Sequence, residues 1–171
     1  MSALRCMADN EPTLKYGDVA PAFTATDTLG VEHSLSDFKN RWVVVEFWAS
    51  WCGDCRREFS ALKSLHGRYG HRVDFISVSF DDKEAAWKTC LRKESFPWLQ
   101  VSNLQPWKEN VISKAYGIQW IPTIYLLRVN DDGEGMVLGS ATTTEEFQTV
   151  IDKFLFPTDD EISPSSTLTR P

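Results

Sequence analysis

The chain has 171 residues, an ordinary hydrophobic content of 42% and a formal net charge of −6, which suits one domain with a sizeable core. It has no basic cluster interleaved with aromatics, so composition argues against a nucleic-acid partner. No stretch approaches the roughly 18 consecutive apolar residues of a membrane span, and four cysteines are too few for a disulfide framework at this length.

Residues 1–15 read as a flexible N-terminal segment that contains Cys6 and lacks the apolar run of a secretory signal. Alternation on either side of Asp27-Thr28-Leu29-Gly30 predicts a small hairpin, with strands near 23–25 and 31–35. The near-continuous apolar run over 42–48 predicts a central strand buried on both faces. A helix then runs over 53–69, with Cys55, Phe59, Leu62, Leu65 and Tyr69 as its inward face and Gly70 as its stop. Residues 73–80 read as a second core strand. Asp81 or Asp82 is placed to cap a helix over 83–93, on which Cys90 reads as a small core residue.

A short helix over 108–116 follows. Strands at 123–129 and 135–138 flank Asn130-Asp131-Asp132-Gly133, a strong hairpin signal. The clearest helix begins at Thr143, whose spacing to Glu146 is that of a capping box. Phe147, Val150, Ile151, Phe154 and Leu155 form its apolar stripe, and Pro157 ends it. The domain therefore spans 16–156, and the Ser, Thr, Pro and acidic residues of 157–171 read as a disordered tail.

The chemistry concentrates in Glu46-Phe47-Trp48-Ala49-Ser50-Trp51-Cys52-Gly53-Asp54-Cys55-Arg56-Arg57-Glu58, a strand, a turn and the first turn of a helix. A thiolate at a helix N-terminus faces unpaired N–H groups and the positive end of the dipole, which lowers its pKa from about 8.5. Cys52 lies nearest that end, and Cys55 lies about one turn further in, placed to resolve a mixed disulfide. A structural zinc site would need two further ligands, but no second Cys pair exists and His33, His66 and His71 are scattered. A c-type haem site would need His where Arg56 stands. The pair is therefore read as a redox dithiol with no metal and no cofactor.

Phe-Trp-Ala-x-Trp-Cys-x-x-Cys after a hydrophobic strand resembles thioredoxin-fold proteins. Together with Ala20-Pro21-Ala22-Phe23, Asp27-Thr28-Leu29-Gly30 and Leu35-Ser36-Asp37-Phe38-Lys39, it resembles the TlpA/ResA-like thiol–disulfide oxidoreductases over 16–155. The resemblance implies an α/β thioredoxin fold: a central mixed β-sheet flanked by helices, an N-terminal β-hairpin and a central insertion after Asp82. It also implies that Ile121-Pro122 is a cis-proline loop facing the cysteines. The backbone of Ile121 would pair with an extended substrate segment, and Pro122 would keep donors and metals away from the thiols.

Glu46 stands where the thioredoxin pattern places a buried acid behind the second cysteine, so it is a candidate proton acceptor for Cys55; the alternative is a solvent-facing carboxylate. Trp51 is expected to shape the docking surface, or else to pack in the core. Asp54 departs from the proline common in thioredoxins, and a carboxylate there opposes the Cys52 thiolate. Glu58 resembles an acid that influences cysteine titration in the ResA-like group; a solvated role is its alternative.

The function expected is disulfide exchange with protein disulfide or dithiol substrates, as a reductase supplied by an electron-donating partner, in a monomer. An isomerase or oxidant, or a tryparedoxin-like intracellular redox protein, is the alternative. A thiol peroxidase is disfavoured because Ala49 occupies the position of a peroxide-holding Thr. A non-catalytic interaction module would fit better if either Cys were missing. The resemblance implies an extracytoplasmic location, with the cytoplasm as alternative.

Overall fold

The computed structural model describes residues 11–156, so Cys6, Pro157 and most of both terminal segments lie outside the described residues. Strands β1 (Val19–Ala20), β2 (Thr24–Asp27) and β3 (Glu32–Ser34) precede the central strand β4 (Trp42–Trp48) and helix α1 (Gly53–Tyr69). They are followed by β5 (Asp74–Ser79), α2 (Glu84–Glu94), β6 (Leu99–Ser102) and α3 (Val111–Tyr116). A hairpin of β7 (Thr123–Val129) and β8 (Gly135–Ala141) leads to α4 (Thr144–Leu155).

The strands form one mixed sheet in the order β1-β8-β7-β4-β5-β6-β2-β3. β4, β5 and β6 are parallel neighbours, which requires crossover connections, and α1 and α2 provide them. β4 is buried on both faces, as its apolar run requires. Val43, Val45 and Phe47 join a cluster with Ile112 and Tyr116 of α3. Val44 joins another with Leu62 and Leu65 of α1 and with Phe147 and Ile151 of α4.

The N-terminal hairpin is present, and it extends the sheet: β2 pairs antiparallel with β6 as well as with β3. The insertion after Asp82 contains α2 and the edge-extending strand β6. Contacts to the core begin upstream of Tyr16, where the Thr13 hydroxyl donates to the Gly117 carbonyl at 2.6 Å. Thr143 caps α4, its hydroxyl accepting from the Glu146 N–H at 3.3 Å.

Two local expectations differ from the structure. The Ncap of α2 is Lys83, with no side-chain cap, because the Asp81 carboxylate is bonded elsewhere, to Ser50. The short helix is α3, Val111–Tyr116, later than expected, because wholly buried Asn110 caps it by accepting from the N–H groups of Ile112 and Ser113 at 2.9 and 3.1 Å. Asn110 also donates to the Asn103 side chain at 2.6 Å, tying the start of α3 to the segment that leaves β6. Asn110→Ala leaves these partners unpaired in the interior, and we expect it to lower unfolding stability by about 1–2 kcal/mol in urea titrations.

Candidate active site: two thiols at a helix N-terminus

β4 ends at Trp48, and the chain turns through Ala49, Ser50 and Trp51 before α1 begins. The Cys52 N–H donates back to the Ala49 carbonyl at 3.1 Å, closing this turn. Cys52 is the Ncap residue, in extended backbone conformation, and its sulfur accepts from the Cys55 N–H at 3.1 Å. In most helices a Ser, Thr, Asp or Asn oxygen takes this position. Here sulfur does, and a negative charge on it is favoured by the same geometry.

The two sulfurs are unlike. Cys52 is 7% exposed and Cys55 is wholly buried. Hydrogen bonding from the Cys55 side chain lowers the Cys52 pKa to about 7, aided by the Cys55 N–H and the Arg57 and Arg56 charges against a burial penalty. Burial pushes the Cys55 thiol strongly up, and its contact with Cys52 pushes in the same direction. The more accessible sulfur is thus the one that ionises near neutrality.

Glu46 lies on β4, 3% exposed. One carboxyl oxygen accepts from the Ser77 hydroxyl at 2.5 Å, and the other has no partner among the described residues. Burial raises its pKa to about 7, the Ser77 bond offsets part of the rise, and the charges of Cys52 and Glu58 add to it. Glu46 in turn contributes to the rise at Cys55. The Ser77 hydroxyl also accepts from the Trp98 indole at 2.7 Å, so the insertion helps hold the acid's one partner.

Ile121 and Pro122 lie beside the thiols: the peptide bond between them is cis, and the Cys52 S–H donates to the Ile121 carbonyl at 3.6 Å. Trp51 points outward, 53% exposed, with its ring centroid 6.1 Å from that of Trp107. Trp51, Cys52, Gly53, Trp107, Trp120 and Ile121 border a shallow cavity of about 280 Å³. Sequence reasoning did not identify Trp107, Trp120, Ser77 or Trp98 as part of this neighbourhood. A Trp after proline carries no motif, and long-range packing alone brings it to the cysteines.

The remaining candidates sit at the margin. Asp54 forms an ion pair with Arg57, so part of its field is neutralised by a cation that itself favours the Cys52 thiolate. Glu58 is half-buried and accepts from the Thr144 N–H at 2.7 Å, at the first residue of α4. Its charge acts on Glu46, so it is neither fully solvated nor placed against the thiols alone. Cys90 is half-buried rather than a full core residue, and burial raises its pKa. Among the described residues no group of three or more His, Cys, Asp or Glu is placed to hold a metal ion.

A model of the family described as AhpC/TSA matches residues 16–135. The chain belongs to the AhpC/TSA family. It is similar to the thiol-disulfide oxidoreductase ResA of Bacillus thuringiensis subsp. konkukian, at 29% identity over 129 residues, covering 75% of this chain and 70% of the relative. The thioredoxin-like protein YneN of Bacillus subtilis is 28% identical over 135 residues, covering 79% of this chain and 78% of YneN. The solved thioredoxin domain of a thiol-disulfide oxidoreductase from Bacteroides vulgatus superposes with a TM-score of 0.72 at 30% identity, covering 83% of this chain and 99% of that domain. This member of the AhpC/TSA family is a TlpA/ResA-like oxidoreductase of thioredoxin fold.

The Glu46 carboxyl generates a prediction with a definite sign. Its folded-state pKa of about 7 lies above its ordinary 4.5, so the native chain holds this proton more tightly than the unfolded chain. The associated stability is complete below about pH 4.5, declines as pH rises towards 7, and is absent above that. Urea unfolding at pH 4.5 and pH 8 should show wild type losing about 2–3 kcal/mol more than Glu46→Gln across this window. Equal losses in the two proteins would contradict a buried, proton-retaining Glu46.

Proposed function

We propose that this chain reduces disulfides in protein substrates, with Cys52 as attacking thiol and Cys55 as resolving thiol. The observation that carries the reading is the asymmetry of the pair: Cys52 at the helix N-terminus, bordering the cleft and ionising at about 7, and Cys55 wholly buried with its thiol pushed up. The Cys52 thiolate attacks one sulfur of the substrate disulfide, forming a mixed disulfide and releasing the other sulfur as a thiolate. Cys55 then loses its proton and attacks Cys52. The Cys52–Cys55 disulfide forms, the second substrate thiolate leaves, and two electrons have passed to the substrate.

Glu46, ionising at about 7, is matched to accept the Cys55 proton during resolution. Trp51 and the backbone of Ile121, beside Pro122, border the sulfur and offer a platform for an extended substrate segment. Asp54 and Glu58 tune the site at one remove, through Arg57 and Glu46 respectively. The reductase direction is supported by a nucleophile pKa of about 7, which resembles that of thioredoxin and not the value of about 3.5 in a strong oxidant. A dithiol partner resets the pair, and the protein acts as a monomer. Resemblance to the TlpA/ResA-like group favours action outside the cytoplasm. Among the described residues no helix is long and apolar enough to cross a membrane.

Equilibration with glutathione or dithiothreitol buffers should give a potential below roughly −230 mV for a reductase, and a value above roughly −180 mV would assign the opposite direction. With a protein disulfide as substrate, Cys55→Ser should accumulate a mixed disulfide on Cys52, detectable by mass, and Cys52→Ser should form none. Adducts on Cys55 in the second variant would reverse the assignment of the two thiols.

A further inference from the structure

Asp81 is an acidic residue that the exchange chemistry does not use, and it is 1% exposed. It follows the end of β5, two residues beyond Ser79, and its carboxylate receives three donors. One oxygen accepts from the Ser50 N–H at 2.8 Å and the Ser79 hydroxyl at 2.6 Å. The other accepts from the Ser50 hydroxyl at 2.6 Å. The third polar group of Ser50, its carbonyl, accepts from the Arg56 guanidinium Nε–H at 2.7 Å. Every hydrogen-bonding group of Ser50 is therefore engaged, by Asp81 from the neighbouring strand end and by Arg56 from α1.

Ser50 lies in the middle of the turn between Trp48 and Cys52. A buried carboxylate is costly unless its lone pairs are satisfied, and bonds to a charged acceptor are about twice as strong as neutral ones. Asp81 satisfies this condition largely through Ser50, so the turn cannot shift without stranding the carboxylate. The same turn sets where the Cys52 sulfur stands against the Cys55 N–H and the Ile121 carbonyl. We propose that Asp81 is a positioning residue for disulfide exchange: through Ser50 its carboxylate holds the turn that presents the Cys52 sulfur at the helix N-terminus. This rests on Cys52 as the attacking thiol.

The test is the pH profile of Cys52 alkylation by iodoacetamide in a Cys55→Ser, Cys90→Ser background, followed on Cys52 by peptide mass mapping, with thermal unfolding recorded alongside. Alkylation needs no protein substrate, so it reads the positioning whether or not exchange with protein disulfides occurs. Ser50→Ala removes one bond to Asp81 and no charge; the expected result is a raised Cys52 midpoint and alkylation at pH 7 slowed about twofold to threefold. Asp81→Asn places an amide donor against Ser50 and should raise the midpoint further, slowing alkylation about tenfold.

The sign is diagnostic, because loss of a nearby negative charge alone would lower the midpoint. Ser79→Ala, which removes a bond to Asp81 but leaves both Ser50 bonds, should reduce thermal stability without moving the midpoint. An unchanged or lowered midpoint in Ser50→Ala overturns the proposal, as does the same result in a folded Asp81→Asn. If Asp81→Asn does not fold, Ser50→Ala decides alone.

Discussion

The bond from the Cys55 N–H to the Cys52 sulfur is the interaction on which the site depends. It exists because β4 ends one short turn before α1 begins, with Cys52 left as the Ncap residue. A helix N-terminus supplies unpaired donors whatever the sequence, and here sulfur replaces the usual oxygen. The same turn of helix that brings Cys55 back towards Cys52 also carries its side chain into the core. One backbone arrangement therefore produces both the low pKa of one thiol and the high pKa of the other, and the proposed order of attack and resolution is drawn from that asymmetry.

Two buried acids flank this arrangement, and they differ in how their lone pairs are satisfied. Asp81 receives three donors. Among the described residues Glu46 receives one, from Ser77, and keeps an oxygen without a partner. Under-satisfaction leaves desolvation as the largest influence on Glu46 and holds its pKa near neutrality, where a group can exchange protons during turnover. A carboxylate with donors on both oxygens suits fixed geometry, and one with a partnerless oxygen suits the proton transfer proposed for Glu46. Glu46 lies within β4, two residues before its end, and Asp81 lies two residues past the end of β5.

Much of this was legible in the sequence where the signal is local. The apolar run of β4, the helical spacing from Cys55 to Tyr69 and the Thr143 cap each depend on residues within a few positions, and each appears in the structure. The Cys pair and the acid on β4 stood in a motif and emerge together. The aromatic wall was not legible. Trp107 reaches Trp51 from the segment between β6 and α3, and nothing near Trp107 in sequence specifies that contact. Glu58 looked like either a modulator or a solvated side chain; its bond to Thr144 depends on α4 docking beside α1, a contact 86 positions away.

Asp81 shows most clearly why local reading fails at such a place. An acid just after a strand and just before a helix has the standing of an Ncap residue, and that is its reading from sequence. Register decides otherwise. β4 and β5 are parallel, with Trp48 level with Ser79, and the ladder continues one step, as the Phe80 N–H donates to the Trp48 carbonyl at 2.8 Å. Residues two positions past each strand end therefore face each other, and these are Ser50 and Asp81. Once this pair is buried, the carboxylate has more to gain from the donors of Ser50 and Ser79 than from an exposed helix end, where water competes for the same N–H groups. α2 then has Lys83 as its Ncap residue and no side-chain cap. The helix gives up a contribution of about 1 kcal/mol, and the turn that carries Cys52 gains a fixed anchor.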